Sequence, residues 1–423
     1  MKKTVEYFLG FVLLTAIVLW GRFGLSNSML FFRLLAGLGL GYALTRSLYG
    51  FAGSVNRMCH TGSTKLMRVL VGMFLGSAIV TAGILLMQDP AGYDLWVNPI
   101  NLGLILGGLL FGFGMAFCFC CASGVLTDLV TGLPRALITL IFFGLGVFLG
   151  FPVQSTAGWV KNSWFTTAVG EKLYGGVYLP DLFKWDGLNG YLGAIILTAI
   201  LSGIVVLIAK IYEDRRKARK TYTGTESEII QYQTYQDDEE PFKLFSKKTY
   251  EKLFVRPWTL GVGATVIGAI FVLLMNVTKA GWGASTPYGF WFGRLLTLFG
   301  ASPEKLASFT NKPVGVYTMP FFDHPINVQN VGIILGTLIA LLLAGNFVKS
   351  FKGGLSITFK DGIIFAIGGL CMGFGTRLSN GCNVGALYTP IANFSLSGWI
   401  FFIFLIGGGI IGYKVNKKLV VKK

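Results

Sequence analysis

The chain has 423 residues, of which 53% are hydrophobic and only 13% charged, with a formal net charge of +17 and a mean hydropathy of +0.65. Soluble domains sit near a quarter charged, so the composition argues against a soluble enzyme, a nucleic-acid binder or a secreted disulfide scaffold. It is that of a polytopic protein in a lipid bilayer. The 58 Gly and 36 Phe are not the bias of a disordered or collagen-like chain.

In chain order, Met1-Lys2-Lys3 precedes a largely apolar run over 5–20. No small-x-small cleavage site follows, so the run reads as a first membrane helix with a cytoplasmic start. A membrane helix needs about 20 mostly apolar residues. On that measure, spans fall near 5–21, 29–44, 66–87, 101–118, 134–153, 190–212, 257–277, 328–347, 362–376 and 395–413. The piece 282–300 is shorter, rich in Gly and aromatics, and predicts a re-entrant segment. An even number of crossings brings the C-terminus to the cytoplasmic side as well.

Positive charge follows the same orientation. Arg215, Arg216, Lys217, Arg219 and Lys220 follow the sixth span, and Lys414, Lys417, Lys418, Lys422 and Lys423 crowd the C-terminal tail. Residues 154–189, with Trp159, Trp164 and Trp185, read as an outside loop at the membrane interface. The polar stretch 213–256, with Asp237-Asp238-Glu239-Glu240 between basic runs, reads as a cytosolic linker. The expected organisation is an N-terminal membrane half 1–212, the linker 213–256, and a C-terminal membrane half 257–423. The fold class is all-α, about ten helices in two inverted-topology halves with re-entrant Gly/Cys-rich loops, in the inner (plasma) membrane.

An internal repeat supports the inversion. Gly107-Gly-Leu-Leu-Phe-Gly-Phe-Gly114 matches Gly368-Gly-Leu-Cys-Met-Gly-Phe-Gly375, and the same register places Cys121 on Cys382 and Gly124 on Gly385. The assigned spans run the two copies in opposite directions, as in transporters whose substrate site lies where inverted repeats meet. A weaker echo pairs Tyr49-Gly-Phe51 with Tyr288-Gly-Phe290.

Each strong copy has an apolar helix, a Gly-rich break, a Cys and a short helical piece. Gly permits unusual dihedrals and close backbone approach. A Cys before a helix sees the positive dipole end, which favours a neighbouring anion. Cys121 and Cys382 thus read as two soft stations for a sulfur or selenium anion. The competing reading is packing, because free Cys is also a common small buried hydrophobe. Cys118, Cys120 and Cys371 read mainly as structural. Arg46, Arg57, Arg294 and Arg377 would draw an anion into the vestibules, or else snorkel to the interface. Asp128 reads as a local cap or pair. Neither a metal nor a cofactor is called for.

These residues resemble the YeeE/YedE family of membrane proteins, which includes thiosulfate transporters and members linked to selenium metabolism. The closest segments are 107–124, 368–385 and the run Phe394-Ser-Leu-Ser-Gly-Trp399. The resemblance implies two helical halves, inward-dipping loops at a central constriction and a relay of Cys thiols that pass thiosulfate by S–H contacts. It also implies a TusA/SirA-like sulfur carrier as cytosolic partner. Cys121 and Cys382 fall on two of the three family thiols. Gly50 stands where the third is expected, and Cys120 where the family usually has Gly. The run from Tyr49 to Arg57 is similar to the selenium-associated branch.

The expected function is therefore a permease, not an enzyme, for a small sulfur- or selenium-containing species. Its path would be lined by Cys121, Cys382, Gly50, Arg57, Arg377, Asn380 and Cys120. No nucleotide-binding loop of the Walker type is visible. The alternatives are a membrane-bound sulfurtransferase or thiol enzyme using Cys120/Cys121, and a membrane subunit whose linker recruits a carrier protein.

Overall fold

The computed structural model describes residues 3–236, 243 and 246–420. The acidic run Asp237-Asp238-Glu239-Glu240 and the terminal Met1, Lys2, Lys422 and Lys423 lie outside the described residues. Among the described residues there are ten helical segments long and apolar enough to cross a membrane. No strand forms; two isolated backbone bridges join Asp94 to Ala280 and Tyr178 to Ser395.

The main helices are α1 (Lys3–Gly24), α2 (Ser28–Arg46), α3 (Phe51–Thr61), α4 (Lys65–Leu85), α5 (Leu102–Cys118), α6 (Ala122–Thr131) and α7 (Leu133–Thr156). After the loop come α8 (Tyr191–Ala218), α9 (Glu226–Gln236), α10 (Leu260–Thr278), α11 (Thr286–Leu298), α12 (Pro325–Leu343) and α13 (Phe359–Leu378). A π-helical turn Asn383–Tyr388 runs on into Thr389–Ala392 as α14, and α15 (Leu396–Val420) ends the described chain. Side chains fix several starts. Asn27 accepts the Leu30 N–H at 2.9 Å, Asn101 the Leu104 N–H at 3.0 Å, and Thr358 with Asp361 forms a capping box. Each satisfies backbone donors that a helix start leaves free.

The expected spans match these helices, and 282–300 is the half-length helix α11. Four breaks interrupt the bundle, at α2/α3, α5/α6, α10/α11 and α13/α14. At each a residue with side chain takes the left-handed conformation: Leu48 (φ 50°), Phe119 (φ 55°), Lys279 (φ 56°) and Asn380 (φ 57°). The unusual dihedrals read as the work of Gly are carried here by non-glycine residues, at a cost of about 1–3 kcal/mol each. Gly serves the close packing instead.

That packing is centred on α5 and α13. A Cβ on Gly107 would lie 2.7 Å from the Gly375 carbonyl oxygen, and one on Gly375 2.9 Å from the Gly107 oxygen. A Cβ on Gly368 would lie 2.8 Å from the Gly114 oxygen, and one on Gly114 would overlap the Gly368 oxygen. The matched motifs therefore pack on each other, antiparallel and reciprocally. Further contacts follow the same exchange: α5 packs on α15, α7 on α13, α2 on α12 and α4 on α10.

Both described chain ends share one face. Glu6 accepts the Phe347 N–H at 2.9 Å, and Lys360 donates to the Leu419 carbonyl at 2.5 Å. Phe347 and Lys360 flank the connection between α12 and α13. This is called the terminal face, and the opposite one the loop face.

Gly114→Val should therefore abolish the monodisperse folded peak in size-exclusion chromatography, because a carbonyl occupies the space of the new side chain. Gly72→Ala, where nothing lies within 4 Å of the added carbon, should keep it, with thermal stability unchanged or raised by the equivalent of about 0.5–1 kcal/mol.

Candidate functional site

Three breaks share one local plan. Gly50 precedes α3, Cys121 precedes α6 and Cys382 precedes α14, each in extended backbone. The left-handed residue lies two positions earlier each time: Leu48, Phe119 and Asn380. The three positions are thus structurally equivalent. The Cys121 sulfur lies 3.4 Å from Ser123 Oγ and beside the backbone N–H groups of Gly124 and Ala52. Ala52 is in the first turn of α3, so two half-helix starts meet at this thiol. Cys382 is fully buried and within electrostatic reach of Cys121 and Arg377.

A cavity of about 780 Å³ opens on the terminal face. Gly50, Arg57, Cys120 and Cys121 all line it, together with Arg46, Asp128 and Lys349. Helix α6 runs along its wall, showing Cys121, Gly124, Asp128 and Thr131 at helical spacing. Asp128 pairs with Arg135 at 2.7 Å, the local partner expected of it. Arg46 donates to the Arg256 carbonyl. Arg57 does not point unpaired into the vestibule: it donates to Glu228 at 3.0 Å and to the Leu48 carbonyl at 2.7 Å.

A second cavity, about 360 Å³, opens on the loop face, lined by Arg377, Asn380, Lys161, Lys312, Gln154 and Trp96 among others. Arg377 is buried. Its guanidinium donates to Thr376 Oγ1 at 3.1 Å, Thr286 Oγ1 at 3.2 Å and Ser285 Oγ at 3.3 Å. Arg377 and Lys312 both lie over the Phe151 ring, at 5.5 and 5.0 Å. Gln154 donates to Asn380 Oδ1 at 2.6 Å. Among the described residues, no carboxylate lines this cavity. Burial and the Arg377 charge together push the Lys312 ammonium below the usual lysine range.

Cys382 lines neither cavity and lies in the partition between them. Tyr288, the residue of the weaker echo, belongs to the same partition. It is within electrostatic reach of Cys382, Cys121 and Cys120, and its hydroxyl donates to the Ala122 carbonyl at 2.5 Å. The indole of Trp96 packs on Gly283 and Gly385, closing the partition toward the loop face. Asn383, next to Cys382, keeps a buried side-chain oxygen without a partner. The remaining thiols stand apart. Cys118 donates to the Phe365 carbonyl at 3.4 Å, and neither Cys59 nor Cys371 lines either of these two cavities. Cys59 lies more than two turns beyond Gly50 on α3 and does not occupy its position.

The two sequence-predicted groups are therefore split between opposite faces, with Cys382 between them. Sequence reading missed Lys312 and Trp96, which lie in connections, Gln154, in the last turn of α7, and Glu228, in the first turn of α9. Tyr288 carried a signal, the Tyr-Gly-Phe echo, but no role.

The chain belongs to a known family: the sequence pattern of the family described as sulphur transport matches residues 46–411. It is 27% identical to the thiosulfate transporter TsuA of Spirochaeta thermophila over 324 residues, 74% of this chain and 77% of the relative. It is 23% identical to the thiosulfate transporter TsuA of Escherichia coli over 400 residues, 90% and 93% of the two chains. It is also 30% identical to the probable transporter YedE of Escherichia coli over 149 residues, 35% of each. The chain is thus a multi-pass membrane protein of a sulfur-transport family.

Two tests follow from the geometry. Because a lowered pKa means the Lys312 charge is lost earlier as pH rises, anion capture at the loop face should decline on the alkaline side. Lys312→Arg, which holds its charge, should flatten that decline in a pH series of initial uptake rates. Tyr288→Phe keeps the ring contacts with Phe143 and Trp291 but removes the bond to Ala122. Cys121 should then react faster with a small thiol reagent, read by mass spectrometry; equal rates would show that the hydroxyl does not hold the station.

Proposed function

We propose that this protein is a permease for a small sulfur- or selenium-containing anion, which it carries through the centre of the bundle. The observation that carries the reading is the pair of vestibules on opposite faces, divided by a partition that holds Cys382 and abuts Cys121. Irregular backbone at membrane depth is tolerated where it is buried or lines a cavity, and all three equivalent break positions lie there.

The anion enters from the loop face, taken as the outside. Lys161, Lys312 and Arg377 attract it through a lining that holds no carboxylate. It then passes from Arg377 to the Cys382 and Cys121 thiols. A thiol is a weak donor and a polarisable surface, suited to a soft sulfur or selenium atom that must shed water without being trapped. Handover needs no covalent bond to the protein, so the process is transport and not turnover. Beyond Cys121 the path widens into the terminal-face cavity, taken as cytoplasmic. Consumption there, for instance by a sulfur carrier of the TusA/SirA type, keeps the flow inward. Gly50 is the third station, here without a thiol.

The test is uptake of labelled thiosulfate and of labelled selenite or selenide into cells expressing the protein. Cys382→Ala and Cys121→Ala should each lower uptake by at least about tenfold, the equivalent of about 1.4 kcal/mol at the barrier, with normal amounts of protein in the membrane. Gly50→Cys should be accommodated, since only the Gly53 nitrogen at 3.9 Å approaches the added carbon, and should raise thiosulfate uptake relative to the selenium species. Unchanged uptake in the double Cys variant would overturn the thiol path.

A further inference from the structure

Helix α9 comes from the polar stretch read as a linker between the membrane halves. Its described part is bound tightly to the terminal face. The Thr223 N–H donates to the Thr61 carbonyl at 2.9 Å, and the Thr225 and Thr61 hydroxyls meet at 3.1 Å. Gln231 donates to the Ser47 carbonyl at 2.6 Å. Between these ties the Glu228 carboxylate, only 6% exposed, accepts from Arg57 Nη1 at 3.0 Å and from Ser63 Oγ at 2.6 Å. Ser47 precedes α3 and Ser63 follows it, so α9 lies along the whole half-helix that begins at Gly50. The neighbouring Ser227 lines the same cavity as Arg57, Cys120 and Cys121.

We propose that Arg57 and Ser63 form an oxyanion seat on the exit side of the path, and that Glu228 is a built-in competitor which fills it until the permeant anion arrives. The inference rests on the reading that an anion passes Cys121 into this cavity. A carboxylate and the oxygen-bearing end of a small oxyanion make the same demand: negative oxygens facing a guanidinium and a hydroxyl. Arg57 is already oriented for the task, because its other nitrogen is fixed on the Leu48 carbonyl at 2.7 Å. The two faces then differ in kind. Among the described residues, no carboxylate lies within ion-pair distance of Arg377, Lys312 or Lys161 on the loop face. On the terminal face the arginine nearest the outgoing anion carries its own carboxylate. The loop face captures, and the terminal face lets go, because Glu228 reclaims Arg57 as the anion leaves. Helix α9 is the part that yields while the anion is seated.

The purified full chain in detergent tests this, with equilibrium binding of labelled thiosulfate to the wild type, Glu228→Gln and Glu228→Gln/Arg57→Gln. Glu228→Gln keeps size and hydrogen bonding but removes the competing charge. It should bind thiosulfate at least about tenfold tighter than the wild type, the factor one charge-assisted hydrogen bond is worth. Adding Arg57→Gln should cancel the gain. Unchanged or weaker binding by a Glu228→Gln protein with wild-type elution and melting behaviour overturns the proposal. A variant-free measurement guards against misfolding: saturating thiosulfate should speed hydrogen exchange over 226–236 in the wild type, whereas chloride at equal ionic strength should not. No change in that segment also overturns it. The two readings fail separately. Cys382-dependent uptake with neither effect sinks the competitor alone. Both effects without Cys382-dependent uptake leave the oxyanion seat standing and sink the thiol path.

Discussion

The reciprocal contact of α5 with α13 is the constraint on which the rest of the molecule depends. In a bilayer, lipid tails are as apolar as Leu, so helices associate by close packing and not by escape from water. Gly107, Gly114, Gly368 and Gly375 place no side chain of their own in the crossing, and each backbone approaches the carbonyl of its counterpart. Because the contact is antiparallel, α5 runs out toward the terminal face just past its end of the crossing, and α13 toward the loop face past the other. The breaks at Phe119 and Asn380 follow directly. The position of the crossing therefore sets where Cys121, at the terminal-face cavity, and Cys382, in the partition, come to rest.

The electrostatics follow from the same geometry. A buried arginine in a membrane protein needs donors answered on every side. Arg377 is answered by hydroxyls and an aromatic face, and among the described residues no carboxylate pairs with it. Arg57 is answered by a carboxylate, which cancels that charge locally. Arg135 does the same to Asp128 on the wall beside Cys121, so the carboxylate nearest the thiol does not repel an anion there. The arginines Arg377 and Arg57, one at each cavity, are therefore answered in different ways.

The spans were legible because each is long, apolar and bounded by turn or charge signals, and the antiparallel repeat was legible because its Gly spacing is the packing motif itself. Cys121 and Cys382 emerged from that repeat. What could not be read is what depends on residues far apart in the chain. Glu228 lies in a polar stretch with no periodicity, and only folding brings it to Arg57. Lys312 reaches the loop-face cavity from a connection, Gln154 from the last turn of α7, and Trp96 from the loop before α5. The left-handed conformations at Leu48 and Phe119 were also invisible, because bulky residues normally avoid that region and tertiary packing imposes it here.

Gly50 shows how far the equivalence of the three stations goes. Its backbone, at φ −150° and ψ 132°, is ordinary extended chain that any residue adopts. No atom stands closer than 3.9 Å to the place where a side chain would begin. Neither dihedral strain nor close approach, the two usual reasons for a glycine, applies at this position. The fold therefore does not demand Gly50, as it does demand Gly114 or Gly368. What the glycine changes is the wall of the cavity, which carries no side chain at this point beside Cys120 and Cys121. The glycine at this position is then a feature of the cavity wall, not a concession to the backbone that builds it.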